Sequence, residues 1–173
     1  PLGLSCAIFL AEFSSKPVKN ILKPVIELLA GIPSLVYGFI GSVVLVPLIR
    51  NLFGGSGFSV LGAGLILGIM ILPTIVSISF DSIKSVPTAY RDGSFALGAN
   101  RWQTILMVVL PSARSGIIAG IILGMGRAIG ETMAVIMIAG NALRIPHTLL
   151  DSVRTITSTI ALELSYSTGD HRA

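Results

Sequence analysis

Residues 117–139 read IIAGIILGMGRAIGETMAVIMIA, and the rest of the chain is read outward from them. The stretch is apolar almost throughout. As an α-helix rising about 1.5 Å per residue, it is long enough to cross the ~30 Å of hydrocarbon in a bilayer. Arg127 and Glu131 stand in it four residues apart. On a water-soluble helix such a pair is ordinary. Inside a membrane each charge is costly, and the pair needs a reason.

The composition supports the membrane setting. The chain has 173 residues, 53% hydrophobic and 12% charged, with a mean hydropathy of +0.88. Soluble domains carry about 25% charged residues. This balance predicts an all-α polytopic membrane protein whose helices pack against lipid and one another. The net charge of +4 is small and aromatics are few, so no nucleic-acid-binding surface is expected. The one cysteine, Cys6, lies in an apolar run and reads as a structural thiol.

Three full spans are expected, over residues 25–49, 60–80 and 117–139, with a partial one over 2–13. The start has no basic n-region or cleavage site. Both ends read as interruptions of a longer protein, so 1–173 is expected to be one piece of a single transmembrane domain. Prolines 33, 47 and 73 fall within the spans, where neighbouring helices can satisfy the freed carbonyls. Gly116, Gly120 and Gly124 recur every four residues and predict close packing of helix backbones.

Basic residues set the orientation. Segments 14–24 and 81–116 hold Lys16, Lys19, Lys23, Lys84, Arg91, Arg101 and Arg114, while Arg50, Arg144, Arg154 and Arg172 fall on the other side. The first side is therefore expected to be cytoplasmic, with 81–116 a cytoplasmic loop and 141–173 an extracytoplasmic segment.

Catalytic patterns do not appear. The glycines of GMGRAIG are spaced G-x-G-x-x-x-G inside a membrane helix, which is not a dinucleotide fingerprint. A phosphate-binding G-x-x-x-x-G-K-[ST] loop and an H-E-x-x-H metal pair are missing from the sequence. His147 and His171 read as surface residues. An enzyme reading therefore has little support, and neither a cofactor nor a metal is expected.

The loop VPTAYRDGSFALGANRWQTILMVVLPSARSG, residues 86–116, is more informative. Pro87 suits a helix start, Gly98 a left-handed helix end, and Asn100 with Gln103 a capping box. A short helix–turn–helix would then expose Tyr90, Phe95 and Leu97. Such a surface suits either a docking partner or the lipid surface.

The same loop carries a family resemblance. Membrane subunits of bacterial ABC importers have a motif of E-A-A, three residues, G, nine residues, then I-x-L-P. Here Asp92, Gly93 and Ser94 are followed at that spacing by Gly98 and by Val108, Val109, Leu110 and Pro111. "DGS" replaces "EAA", and Val replaces Ile. With LKPVIELLAGIPSLVYGF, GLILGIMILPTIVSIS and GRAIGETMAVIMIAGN, the chain resembles phosphate-specific (Pst) permeases, the C-type subunit more than the A-type.

That resemblance implies the type I ABC importer fold with a cytoplasmic coupling helix, placed in the bacterial inner membrane. It implies inorganic phosphate as substrate. It implies two ATP-binding subunits, a homologous second permease and an extracytoplasmic phosphate-binding protein as partners. Asp92, Gly93, Ser94, Gly98, Leu110 and Pro111 would meet the ATPase. A permease for phosphonate, molybdate or sulfate is the neighbouring alternative, and a channel the alternative from another class.

A mid-membrane charge costs at least ~2.5 kcal/mol and commonly marks a substrate path. The planar guanidinium of Arg127 matches phosphate oxygens. Glu131, one helical turn on, would balance it, and Thr132 would sit beside the pair. The competing expectation is an ion pair that only holds the bundle together. Glu27 is expected at the interface beside Lys23.

Overall fold

The structure is a computed structural model and describes residues 1–164. The expectations for His171, Arg172 and the end of segment 141–173 lie outside the described residues. Among the described residues there is no β-strand, only the single bridge between Gly140 and Val153. The helices are α1 (Leu2–Phe13), α2 (Lys16–Gly31), α3 (Ser34–Phe53), α4 (Val60–Lys84), α5 (Thr88–Ala96), α6 (Arg101–Gly130), α7 (Met133–Ala139) and α8 (Ile156–Glu163). Helices α3, α4 and α6 are each long and apolar enough to cross a membrane. The all-α polytopic architecture is as expected.

Helix boundaries depart from the apolar runs in two places. The expected span 25–49 is not one helix. Pro33 adopts an extended conformation (φ −57°, ψ 137°) and ends α2 at Gly31. Proline lacks an amide hydrogen and pushes the residue before it away from helical geometry. The apolar residues 25–31 therefore belong to α2, which has no buried residue. Val18, Ile21, Leu22, Val25, Leu28 and Leu29 recur at helical spacing and are exposed, as on an amphipathic helix lying at an interface.

The expected span 117–139 is broken as well. Its first part is the end of α6, which begins sixteen positions earlier at Arg101 and stops at Gly130. Glu131 and Thr132 lie outside any helix, and α7 begins at Met133.

Two of the long helices contain a π-helical turn, at Gly41–Leu45 and Ile105–Val109. Each ends two residues before a proline, Pro47 or Pro111. In an α-helix the proline ring would collide with the carbonyl four residues back. Widening the preceding turn moves that carbonyl aside while the backbone stays hydrogen-bonded.

The described residues form two compact units, each built from two stretches of chain. One comprises 1–31 and 71–126. Its core joins Ala7, Leu10 and Ala11 of α1 to Val76, Phe80 and Ile83 of α4 and Val109, Ala113 and Ile117 of α6. The glycine ladder serves this packing. Cβ atoms added at Gly116, Gly120 and Gly124 would meet Ser82, Ile78 and Ile75 in turn, the last two at 3.1 and 2.8 Å. Small residues thus let α6 approach α4. Cys6 of α1 is exposed rather than buried in this core.

The second unit comprises 32–70 and, of the described residues, 127–164. Tyr37 and Val46 of α3, Ile66 and Met70 of α4, and Ala134 and Ile138 of α7 form its largest cluster. The start of α4 is satisfied from the loop after α7. The amides of Val60 and Leu61 donate to the carbonyls of Asp151 and Leu149, at 3.0 and 2.8 Å. These are two of the donors a helix start leaves without an intrahelical partner.

Candidate functional site

Two groups of residues were singled out from sequence, and each has a definite local structure. The first is the broken helix at Arg127, Glu131 and Thr132. Arg127 is in the last turn of α6, where the negative end of the helix dipole favours a cation. Glu131 does not share that helix, so the expected one-turn spacing on a common face is corrected. Its carboxylate instead accepts the Ala134 amide in the first turn of α7, at 3.1 Å. Each charge thus has a favourable position at a helix end. The Glu131 carbonyl accepts the Thr157 hydroxyl at 3.2 Å, which brings α8 to the break. Thr132 is the N-cap residue of α7, and its hydroxyl donates to the Gly130 carbonyl at 3.3 Å. Arg127, Glu131 and Thr132 are all half-buried.

The helix break was missed because residues 117–139 stay apolar through it. The available signal was Gly130 followed by Glu131 and Thr132, a helix-ending residue before capping side chains. Depth cannot be counted from Ile117, since α6 starts well before it. Gly124 packs on Ile75 in the first unit, and Ala134 clusters with Met70 in the second.

The second group is the hairpin of α5 and the start of α6. Pro87 precedes α5 as its N-cap residue. The helix ends in a Schellman arrangement. Ala99 donates to the Ser94 carbonyl and Gly98 to the Phe95 carbonyl, at 3.1 and 2.9 Å, with Gly98 at φ +83°. Asn100 and Gln103 form the expected capping box, with bonds of 2.8 and 2.9 Å. The Ser94 and Thr104 hydroxyls are 3.0 Å apart and tie the two helices together.

Asp92 and Pro111 are exposed, and Leu110 packs on the core of the first unit. Gly93 has open space where a side chain would project. Tyr90, Gly93, Leu97, Gln103 and Met107 line an open cavity of about 490 Å³. Leu97 is 91% exposed, and Tyr90 and Phe95 are exposed as expected. Trp102 is a further exposed aromatic of this hairpin, and its ring lies 4.9 Å from that of Phe13.

Arg91 fixes the hairpin from its inner side. Its guanidinium donates to the carbonyls of Ile83 and Val86 at 3.0 and 2.6 Å and to the Glu12 carboxylate at 2.9 Å. Arg101 adds a bond to the Glu12 carbonyl. Arg91 was noticed in the sequence only as a positive charge. Its carboxylate partner, Glu12, is 79 positions away along the chain and leaves no local signature.

Membrane-length helices, a charged break between two helices and an ordered hairpin with apolar side chains outward describe a polytopic helical membrane protein. The chain belongs to the family described as binding-protein-dependent transport system inner membrane component, whose sequence model matches residues 2–167. It is 48% identical to the probable ABC transporter permease protein YqgH of Bacillus subtilis, over 97% of this chain and 55% of that protein. It is 39% identical to the phosphate transport system permease protein PstC of Mesorhizobium japonicum, over 98% of this chain and 58% of the relative. A probable PstC of Methanocaldococcus jannaschii is 36% identical over 93% of this chain and 56% of its own length. The chain thus spans somewhat over half the length of these relatives.

Proposed function

We propose that the chain forms part of the permease of an ATP-driven importer that carries inorganic phosphate into the cell. The observation that carries this reading is the similarity to PstC proteins along nearly the whole chain. In this reading ATP is hydrolysed on two separate subunits. A homologous second permease completes the pathway, and an extracytoplasmic binding protein delivers phosphate. Segment 81–116 is cytoplasmic, and α5 with Asp92, Gly93, Ser94, Gly98, Leu110 and Pro111 meets the ATPase.

Arg127 is the residue that meets phosphate in transit. A guanidinium offers two parallel donors to an oxyanion, which a lysine does not. It stands at a helix end rather than mid-helix, so a small movement of the 130–132 break can turn it toward or away from a passing anion. Glu131 anchors the start of α7 and keeps a negative charge near the arginine when phosphate is absent. Thr132, at the same break, lends a hydroxyl.

Uptake of labelled phosphate by cells carrying single and double variants tests this. Arg127→Lys should reduce uptake strongly, and Arg127→Gln should abolish it. The double variant Arg127→Gln/Glu131→Gln separates two roles. A substrate-path arginine leaves the double variant assembled in the membrane but inactive. If phosphate uptake returns in the double variant, the two charges are only a structural pair and the assignment of Arg127 fails.

A further inference from the structure

Helix α2 turns its polar face toward the end of α4. Lys16, Lys19, Lys23 and Glu27 of α2, with Phe80 and Lys84 of α4, line an open cavity of about 360 Å³. Two of the four lysines are committed. Lys23 donates to Asp81 at 2.6 Å, lies 3.7 Å from Glu27, and sits over the Phe80 ring. Lys19 donates to the Ala11 carbonyl at 2.7 Å. The ammonium groups of Lys16 and Lys84 make no bond among the described residues. Glu27 and Asp81 are both engaged by Lys23, and Lys19 also feels the Glu12 carboxylate, which leaves Lys16 and Lys84 as the two uncommitted positive charges of the cavity.

From this geometry we infer that the cavity is a binding site for the phosphate headgroup of an anionic membrane phospholipid. Charge decides the sign of the ligand, because the uncommitted lysines converge on one open space. Burial, and then the charge of Lys84, hold the Lys19 ammonium below its ordinary range, so an anion there relieves an existing repulsion. The opposite face of α2 decides for a lipid over a free anion. Ile21, Val25 and Leu28 are exposed along the same helix and offer an apolar surface to acyl chains beside the headgroup. Basic pockets beside membrane helices bind anionic headgroups through this combination. The site is separate from Arg127 and independent of which solute is transported.

The purified protein in a neutral detergent is titrated with phosphatidylglycerol or phosphatidylcholine, and bound lipid is counted by native mass spectrometry. One phosphatidylglycerol should bind in clear preference to phosphatidylcholine. Lys16→Gln/Lys84→Gln removes two uncommitted charges and should weaken phosphatidylglycerol binding about thirtyfold. Arg114→Gln, outside the cavity, should leave it unchanged, and Lys16→Arg/Lys84→Arg should retain it. Inorganic phosphate at millimolar concentration should not displace the lipid. Equal affinity of the native protein for the two lipids overturns the inference, even if the glutamine variant fails to fold. So does undiminished binding in a folded glutamine variant, or an equal loss in Arg114→Gln. Displacement by inorganic phosphate assigns the cavity to a free anion and overturns the lipid claim.

Discussion

Gly38 shows how single residues set the packing of the second unit. A Cβ there would lie 2.9 Å from the Ala134 Cα, a backbone atom that cannot rotate away. Gly38→Ala should therefore destabilise the contact of α3 with α7 by about 1–3 kcal/mol. Thermal melting of the detergent-purified protein would register it, and an unchanged midpoint would show that α7 shifts freely. Asp151 is another local determinant. Its carboxylate accepts the amides of Thr148 and His147, both at 2.9 Å, and lies 3.9 Å from Arg144. The Thr148 and His147 bonds hold its pKa below the ordinary 3.8. A depressed pKa means the contribution is complete above about pH 4 and is lost as pH falls through the lower folded value. Amide exchange at 147 and 148 should accelerate only in strong acid. In Asp151→Asn it should already be fast at neutral pH.

At the scale of elements, what the sequence disclosed depended on how local the cause was. The α5 hairpin was legible almost residue by residue, because Pro87, Gly98, Asn100 and Gln103 each act within a few positions of themselves. The apolar runs were legible as membrane helices but not as helix boundaries. Hydropathy averages over Pro33 and over Gly130–Thr132, where backbone chemistry ends one helix and starts another. It also merged residues 25–31 with a span. The spacing of Val18, Ile21, Leu22 and Val25 pointed to a separate amphipathic helix, but the lysines between them obscured it. At the charged break Arg127 and Glu131 stood out in the sequence but their helix context did not, since a carboxylate capping α7 leaves the same sequence as one on a helix face. The hairpin also yields a test. Gly98 holds φ +83°, which a β-branched residue resists. Gly98→Val should open the turn and lower ATP-dependent uptake while the protein still inserts. Normal uptake in that variant would remove the coupling role.

For the whole molecule the open question is which way it faces. The lysine and arginine distribution leads us to propose that the α5 hairpin is inside the cell and the loop after α7 outside. Single cysteines at Ser112 and Leu149, both exposed, in a Cys6→Ser background would report this in intact cells. An impermeant maleimide should label position 149 and spare 112, and the opposite pattern would invert the topology.

The grip of Arg91 has a mechanical consequence. One guanidinium clamps α5 to the end of α1, to the last turn of α4 at Ile83 and to the connector at Val86, with its own side chain 18% exposed and that of Glu12 13%. Parting such a nearly buried pair leaves a charge stranded and costs about 3 kcal/mol. A push on the outward face of α5 therefore cannot be spent bending the short connector at residues 85–87. It arrives at α1 and α4 together, as torque on a crank whose pin is this one arginine.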